Sequence, residues 1–271
     1  MNSIDFIQLN KFSKLHNGST IFFCKTDYIQ EDFQTISKLN TKVILITGNS
    51  DYGITDELVK LAPKNISKWY CQNAISNNDI IYPLPLGLEN KYEPFRQNHG
   101  IAYVERMIQK ENIITSLRTN KPEKFIYANY NIQTNYVHRS QLTNFINNIS
   151  YITLEKSNLN LNDFFNHLIN HKMVLCPIGN GIDTHRLWET LYCNRIPIII
   201  KMGNYKLYDL YKRLPIIILN NYEELKNQQY IYNLYEKIVS NHYNLELLKS
   251  SYWINLINHD EKYLNMHNSE K

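Results

Sequence analysis

The sequence predicts an α/β protein of two doubly wound, Rossmann-like domains that face a cleft, followed by C-terminal helices. Three observations carry this. Short apolar runs alternate with stretches of helical periodicity, in two successive blocks. The best of these runs are apolar throughout, as strands buried on both faces of a parallel sheet are. A polar segment at Asn120–Lys124, containing Lys121-Pro122, separates the blocks as a linker. The expected division is an N-terminal domain over 1–120, a second over 121–240, and helices over 241–271 that pack back on the first.

In the first block, Ser19–Cys24 and Lys42–Thr47 are strand candidates, and the polar stretch from Tyr28 to Leu39 between them has helical spacing. Asp56–Leu61 reads as a short helix, and Trp69–Cys71 and Ile80–Pro83 as brief strands. The proline-rich PLPLGLEN, Pro83–Asn90, is stiff and turn-prone. Ile101–Leu117 is periodic over several helical turns. In the second block the order is strand Phe125–Asn129, helix Tyr136–Ile146, strand Tyr151–Leu154 and helix Asn162–His171. Beyond the segment Met173–Lys201 come a strand at Ile216–Leu219 and a short helix at Tyr222–Asn227. From Ile231 onward the chain reads as helix, broken near Asn241–Asn244, with a frayed polar tail after Met266.

Composition narrows the classes. A chain of 271 residues with 43% hydrophobic content has ample material for a packed core. A formal charge of +4 suits an anionic nucleotide ligand. Lys and Arg are dispersed, so a nucleic-acid interface is not signalled. Cys24, Cys71, Cys176 and Cys193 form no C-x-x-C pair and read as buried free thiols of a reducing compartment. The opening residues MNSIDFIQLNKFSK lack the apolar core of a signal peptide, and no run approaches the ~20 apolar residues of a membrane span. The expectation is a cytoplasmic protein, in which the sequons at Asn17, Asn65 and Asn148 are accidental.

One stretch carries most of the chemistry: MVLCPIGNGIDTHRLWETLYCNRIPIIIK, from Met173 to Lys201. It reads as strand Met173–Pro177, a loop containing Gly179 and Gly181, a helix with Asp183 or Thr184 as its N-cap, and strand Ile196–Lys201. A glycine loop entering a helix N-terminus offers backbone N–H groups and the positive end of the helix dipole to an anion such as a diphosphate. His185, Arg186 and Glu189 fall in the first two turns, where a cation and a carboxylate can sort phosphate from ribose hydroxyl.

Pro177, Gly179, Gly181, Asp183, Arg186, Trp188, Glu189 and Pro197 together resemble the donor-site motif of exostosin-type glycosyltransferases, with Ile198 where valine is usual. TGNSDYGI (Thr47–Ile54), KWYCQN (Lys68–Asn73), PLPLGLEN and YANYNIQTNYVHR (Tyr127–Arg139) are similar to segments of small viral and bacterial members. The resemblance implies the GT-B architecture, with acceptor bound by the N-terminal domain and nucleotide sugar by the C-terminal one. It implies transfer of a sugar, most readily from a UDP-sugar, to a glycan hydroxyl. Glu189 would accept from the ribose hydroxyls, and Arg139 would reach the diphosphate from the other side of the pocket. Asn129 and Thr134 would also face the donor.

The sequence contains no Asp-x-Asp metal motif. Leaving-group charge then falls to Arg186 and the amides of Gly179–Asp183, without metal or other cofactor. Asp183 reads first as a helix cap, and Trp188 as core. The base for the acceptor hydroxyl is sought in the N-terminal domain, where Asp51 follows a buried strand, with Asp27 and Glu89 in reserve. A GDP-fucose-type transferase and a non-catalytic nucleotide- or carbohydrate-binding module remain open beside the inverting, metal-independent reading.

Overall fold

The computed structural model describes residues 4–91, 101–102 and 104–269, and these divide into two compact units. Residues 4–91, 101–102, 205–210 and 245–269 form one; residues 104–204 and 211–244 form the other. Each contains a parallel sheet.

In the first unit, the one-turn helix α1 (Asn10–Ser13) precedes β1 (Ile21–Lys25). Then come α2 (Ile29–Ile36), β2 (Val43–Gly48), α3 (Asp56–Lys60), β3 (Ile66–Cys71) and β4 (Ile81–Pro83). The strands lie side by side in chain order, β1-β2-β3-β4, and every pair is parallel. In such an order right-handed crossovers put all connecting helices on one face. Trp69 of β3 meets Phe33 of α2 on that face, ring edge to ring face at 5.6 Å.

The opposite face needs another cover, and the C-terminal helix Ser250–Ser269 supplies it. Trp253 and Ile257, one turn apart on this helix, are buried. Asp260 receives Lys68 Nζ at 2.7 Å and a hydrogen bond from the Tyr70 hydroxyl, both from β3. At the helix start, Asp5 accepts the Ser251 N–H at 2.8 Å, the Ser250 hydroxyl, and Lys11 Nζ at 3.1 Å. Near the expected turn, Gly87 has φ +70°, and a Cβ there would lie 2.2 Å from the Ile7 carbonyl oxygen. Only glycine fits this approach, which pairs Gln8 with Gly87 across an antiparallel bridge. Two short strands, β5 (Asn90–Lys91) and β6 (Ile101–Ala102), pair in parallel; the helix expected from Ile101 starts at Val104 instead.

The second unit opens with that helix, α4 (Val104–Leu117), which packs on α6 (Leu161–Ile169). The division between units therefore falls before α4, not at the expected Asn120–Lys124 linker. The cause is the buried stripe Met107, Lys110 and Ile114, which holds α4 to the second unit. The chain continues through β7 (Lys124–Asn129), α5 (Tyr136–Ile146), β8 (Ile152–Glu155), α6, β9 (His171–Leu175), α7 (His185–Tyr192) and β10 (Ile196–Ile200). It ends with α8 (Leu207–Tyr211, of which only Tyr211 belongs to this unit), β11 (Ile217–Leu219), a 3-10 turn at Tyr222–Lys226 and α9 (Gln228–Ser240). The sheet order is β11-β10-β9-β7-β8, again all parallel.

Alternation along the strands sends Ile126, Ala128, Met173, Leu175, Ile196, Ile198, Ile217 and Leu219 to one face. There they pack with Leu142 and Ile146 of α5 and Ile231 of α9. Burial of each of the larger side chains, the Ile, Leu and Met residues, contributes about 1.5–3 kcal/mol relative to exposure. Tyr127 points to the other face and meets Phe164 and His167 of α6. The unit is thus doubly wound. After β8 the chain returns past β7 before adding β9, so the winding reverses between β7 and β9. Among the described residues no helix is long and apolar enough to cross a membrane.

Candidate functional site

In doubly wound sheets, ligands bind outside the carboxyl ends of the strands, where the winding reverses. Here that point is flanked by two loops, one after β7 and one after β9. Every candidate donor residue from the sequence belongs to one of these loops or to the helix directly after it, except Asn129, which ends β7.

The β9 loop begins at Cys176, whose N–H continues the ladder to the Ile198 carbonyl at 2.9 Å. Strand β9 starts two residues before the expected Met173 because His171 is buried and stacks on Tyr127 at 5.0 Å. The Gly179 N–H donates to the Gly181 carbonyl at 3.0 Å, closing the loop on itself. This corrects the expectation that all amides of Gly179–Asp183 face a ligand; the first is used internally. The Gly179 carbonyl accepts from Asn135 Nδ2 at 2.7 Å, which ties the β9 loop to the β7 loop.

Arg139, in the first turn of α5, makes the same tie more strongly. Its Nε donates to the Ile178 carbonyl at 2.8 Å, Nη2 to Pro177 at 3.3 Å, and Nη1 to Asn131 at 2.8 Å. The residue is only 8% exposed, and among the described residues no carboxylate pairs with it. Burial, and then the charge of Arg186, hold its guanidinium down to about 10. Gly179 sits against it: a Cβ there would lie 3.3 Å from Arg139 Nη2.

Arg186 lies in the first turn of α7. Its Nη1 donates to the Asn129 carbonyl at the end of β7, and its Nε to Glu189 Oε2 at 3.1 Å. The guanidinium carbon rests 4.1 Å from the centroid of the Phe164 ring. Asn129 is buried and donates from Nδ2 to the Lys156 carbonyl at 2.7 Å, so its side chain serves the fold. Thr134 packs beside Gly179. Glu189 is buried too, and its Oε1 receives Lys110 Nζ of α4 at 2.5 Å. Sequence reasoning did not single out Lys110. The available signal was its position on the apolar stripe of α4, three residues after Met107 and four before Ile114.

Asp183 does not cap α7. The N-cap is Thr184, which makes no side-chain cap hydrogen bond. Asp183 is buried, and its Oδ1 accepts from Trp188 Nε1 and from the Tyr211 hydroxyl, each at 2.8 Å. It pins the loop from below. Trp188 is core, as its indole partner requires. His185, the first residue of α7, is half-buried. Burial pushes all four thiols up, Cys176 to about 12, and none is paired in a disulfide. Among the described residues no three His, Cys, Asp or Glu side chains gather as a metal site.

In the first unit, Asp51 is exposed, in a turn held by Tyr52 N–H to Ser50 Oγ at 3.2 Å and Asn73 Nδ2 to the Ser50 carbonyl at 3.1 Å. Just before it, Asn49 is left-handed (φ 54°); its carboxamide donates to Asn10 Oδ1 and accepts from Asn90 Nδ2, and the Asn10 backbone N–H closes the ring on Asn90 Oδ1. Beyond β1 and β2 opens a cavity of about 470 Å³ lined by Asp27, Tyr28, Glu31, Gln34, Tyr52 and Thr55, with Asp51 outside its lining. Lys25 Nζ lies 3.4 Å from Asp27. Glu89 receives Gln8 Nε2 on its backbone carbonyl at 3.0 Å.

No protein-family model matches the chain, and no curated protein sequence does either.

Proposed function

We propose that the chain is an inverting, metal-independent glycosyltransferase of GT-B type that takes a nucleotide sugar, most readily a UDP-sugar, and transfers the sugar to a glycan hydroxyl. One observation supports this above the others. Two guanidiniums, Arg139 and Arg186, stand at the reversal point of a doubly wound sheet, and Arg139 is buried, gives its hydrogen bonds to carbonyls, and meets no carboxylate among the described residues. A buried cation without a counter-ion is costly, and an anionic ligand relieves that cost. The motif around Arg186, with its resemblance to exostosin-type enzymes, supports a nucleoside diphosphate as that anion.

In this reading the start of α7 and Arg186 neutralise the leaving diphosphate. Arg139 holds the two loops in register and adds its field, rather than reaching the phosphate as a free arm. Glu189 aims Arg186 and accepts the ribose hydroxyls. His185 stands where it meets phosphate or ribose. The transfer itself is one displacement: the acceptor oxygen bonds to the anomeric carbon as the bond to the diphosphate breaks. The acceptor proton passes to a carboxylate of the first unit. Asp27 lines the cavity beyond β1 and β2 and Asp51 is not among its lining residues, which moves Asp27 ahead of Asp51 for this role.

Calorimetric titration of the whole chain with UDP, GDP and uridine tests the donor assignment. UDP is expected to bind, uridine to bind more weakly, and GDP weakest. Absence of binding by both diphosphates refutes it; preference for GDP moves the donor to a GDP-sugar. Product formation from a labelled UDP-sugar and crude host glycan then separates an enzyme from a binding module.

A further inference from the structure

We infer that Lys110 is a positioning residue of the donor site: by taking one oxygen of Glu189 it keeps that carboxylate from closing on Arg186, so that the guanidinium stays available to an anion. The inference rests on the proposed donor site, and goes beyond it by assigning a role to a residue outside both site loops.

Lys110 lies in α4, before the strands of the sheet begin. Its side chain is 4% exposed and that of Glu189 7%, whereas Arg186 is 22% exposed at the edge of the same cluster. Glu189 therefore stands between a cation on its buried side, at 2.5 Å, and one on its open side, at 3.1 Å. A carboxylate and a guanidinium on one helix face, three residues apart, would otherwise form a two-pronged pair, the strongest arrangement open to them. Such a pair would offer the ligand a neutralised arginine. Arg186 reaches Glu189 through Nε; Nη1 goes to the Asn129 carbonyl, and the guanidinium carbon lies over the Phe164 ring. The lysine also explains why a carboxylate is tolerated so deep, since a buried charge needs a close partner.

The alternative is a purely structural ion pair that fixes α4 to α7. The two differ in what rescues what. If Lys110 restrains Glu189, the damage done by losing the lysine comes from a carboxylate set free, and neutralising that carboxylate reverses it. A structural tie, once lost, is not restored by losing its second half.

The experiment measures binding of inorganic pyrophosphate and of UDP to the full chain by calorimetry, with near-UV circular dichroism as the check on folding. Lys110→Met is expected to lower pyrophosphate and UDP affinity about tenfold while uridine affinity changes less, and Lys110→Arg to retain the parent's affinities. The double variant Lys110→Met/Glu189→Gln keeps an acceptor for Arg186 Nε but no carboxylate charge, and is expected to regain pyrophosphate affinity, which involves no ribose contact, to within about threefold of the parent. Should Lys110→Met fail to fold, the double variant alone carries the test, because it leaves no orphaned buried charge. Parent-like pyrophosphate binding in Lys110→Met, or tenfold-weak pyrophosphate binding in the folded double variant, overturns the role. A parent that binds pyrophosphate but not UDP would refute the nucleotide reading while leaving Lys110 still tested. A parent that binds neither would refute both.

Discussion

Arg186 lies over the Phe164 ring, with its guanidinium carbon 4.1 Å from the ring centroid, while its Nε meets Glu189 and its Nη1 the Asn129 carbonyl. Ring, carboxylate and carbonyl together fix the plane of the fork, and a lysine has no plane to fix. Arg186→Lys should therefore behave almost like Arg186→Ala. Both are expected to lose UDP affinity by about tenfold or more and to lose turnover. Parent-like affinity in the lysine variant would show that charge alone suffices and that the stacked geometry is incidental.

Gly179 has its own test. An alanine there brings Cβ to within 3.3 Å of Arg139 Nη2 and 3.5 Å of Thr134 Cγ2. The guanidinium cannot swing away without releasing carbonyls of Pro177, Ile178 and Asn131. Gly179→Ala is expected to cost about 1–3 kcal/mol in urea unfolding, the usual range for overpacking, and to weaken UDP binding. A neutral result would mean that the loop has more room than the geometry gives it.

For the base, Asp27→Asn and Asp51→Asn are to be compared under saturating donor. The variant of the true base should keep UDP binding while kcat falls by about 10²–10⁴. The loss is expected in Asp27→Asn, and near-parent turnover in Asp51→Asn, whose side chain is exposed in a turn. The reverse pattern would return the role to Asp51.

Under the proposed mechanism, leaving-group stabilisation by Arg186 and the start of α7 needs no divalent ion. Turnover is expected to persist in excess EDTA and to change little on adding Mn²⁺. Complete loss on chelation, restored by Mn²⁺, would refute that mechanism.

Stability toward acid centres on Asp5. Partial burial draws its carboxyl up, but hydrogen bonds from Ser250 and Ser251 and from Lys11 prevail and hold it at about 2. A depressed carboxyl stabilises the fold above its unfolded value of about 3.9 and loses that contribution as pH falls through its folded value. Between roughly pH 4 and pH 2 the parent should lose stability more steeply than Asp5→Asn in urea unfolding. Parallel acid limbs would mean that Asp5 contributes nothing measurable to the start of the C-terminal helix.

Much of the layering was legible because it depends on local pattern. Helix Tyr136–Ile146 falls where the periodicity puts it, and β7, β10 and β11 lie within a residue or two of their apolar runs. What escaped were pairings made across long stretches of chain. An aspartate before a helix reads as a cap, yet Asp183 is claimed by Trp188 within α7 and by Tyr211 far beyond it. Lys110 and Glu189 are 79 positions apart, and neither signals the other. Strand β9 begins two residues earlier than its apolar run, at the polar His171 and Lys172, and His171 is an interior residue through its stacking on Tyr127 and its ring contact with the His167 carbonyl, neither of which the local pattern signals. The base proved hardest to read, since carboxylates after strands are common and cavities are not written in one segment.

The way the chain threads its two units also fixes the order in which they are completed during synthesis. Residues 104–204 and 211–244 hold everything the second sheet needs, whereas the first unit waits for residues 245–269. Until the C-terminal helix has been made, Lys68 and Tyr70 of β3 lack Asp260, and Asp5 lacks Ser250 and Ser251. Domains commonly fold from the N-terminus as they emerge. Here the sheet translated first is the one finished last, and a nascent chain halted before position 245 would carry a complete second unit attached to a half-covered first one.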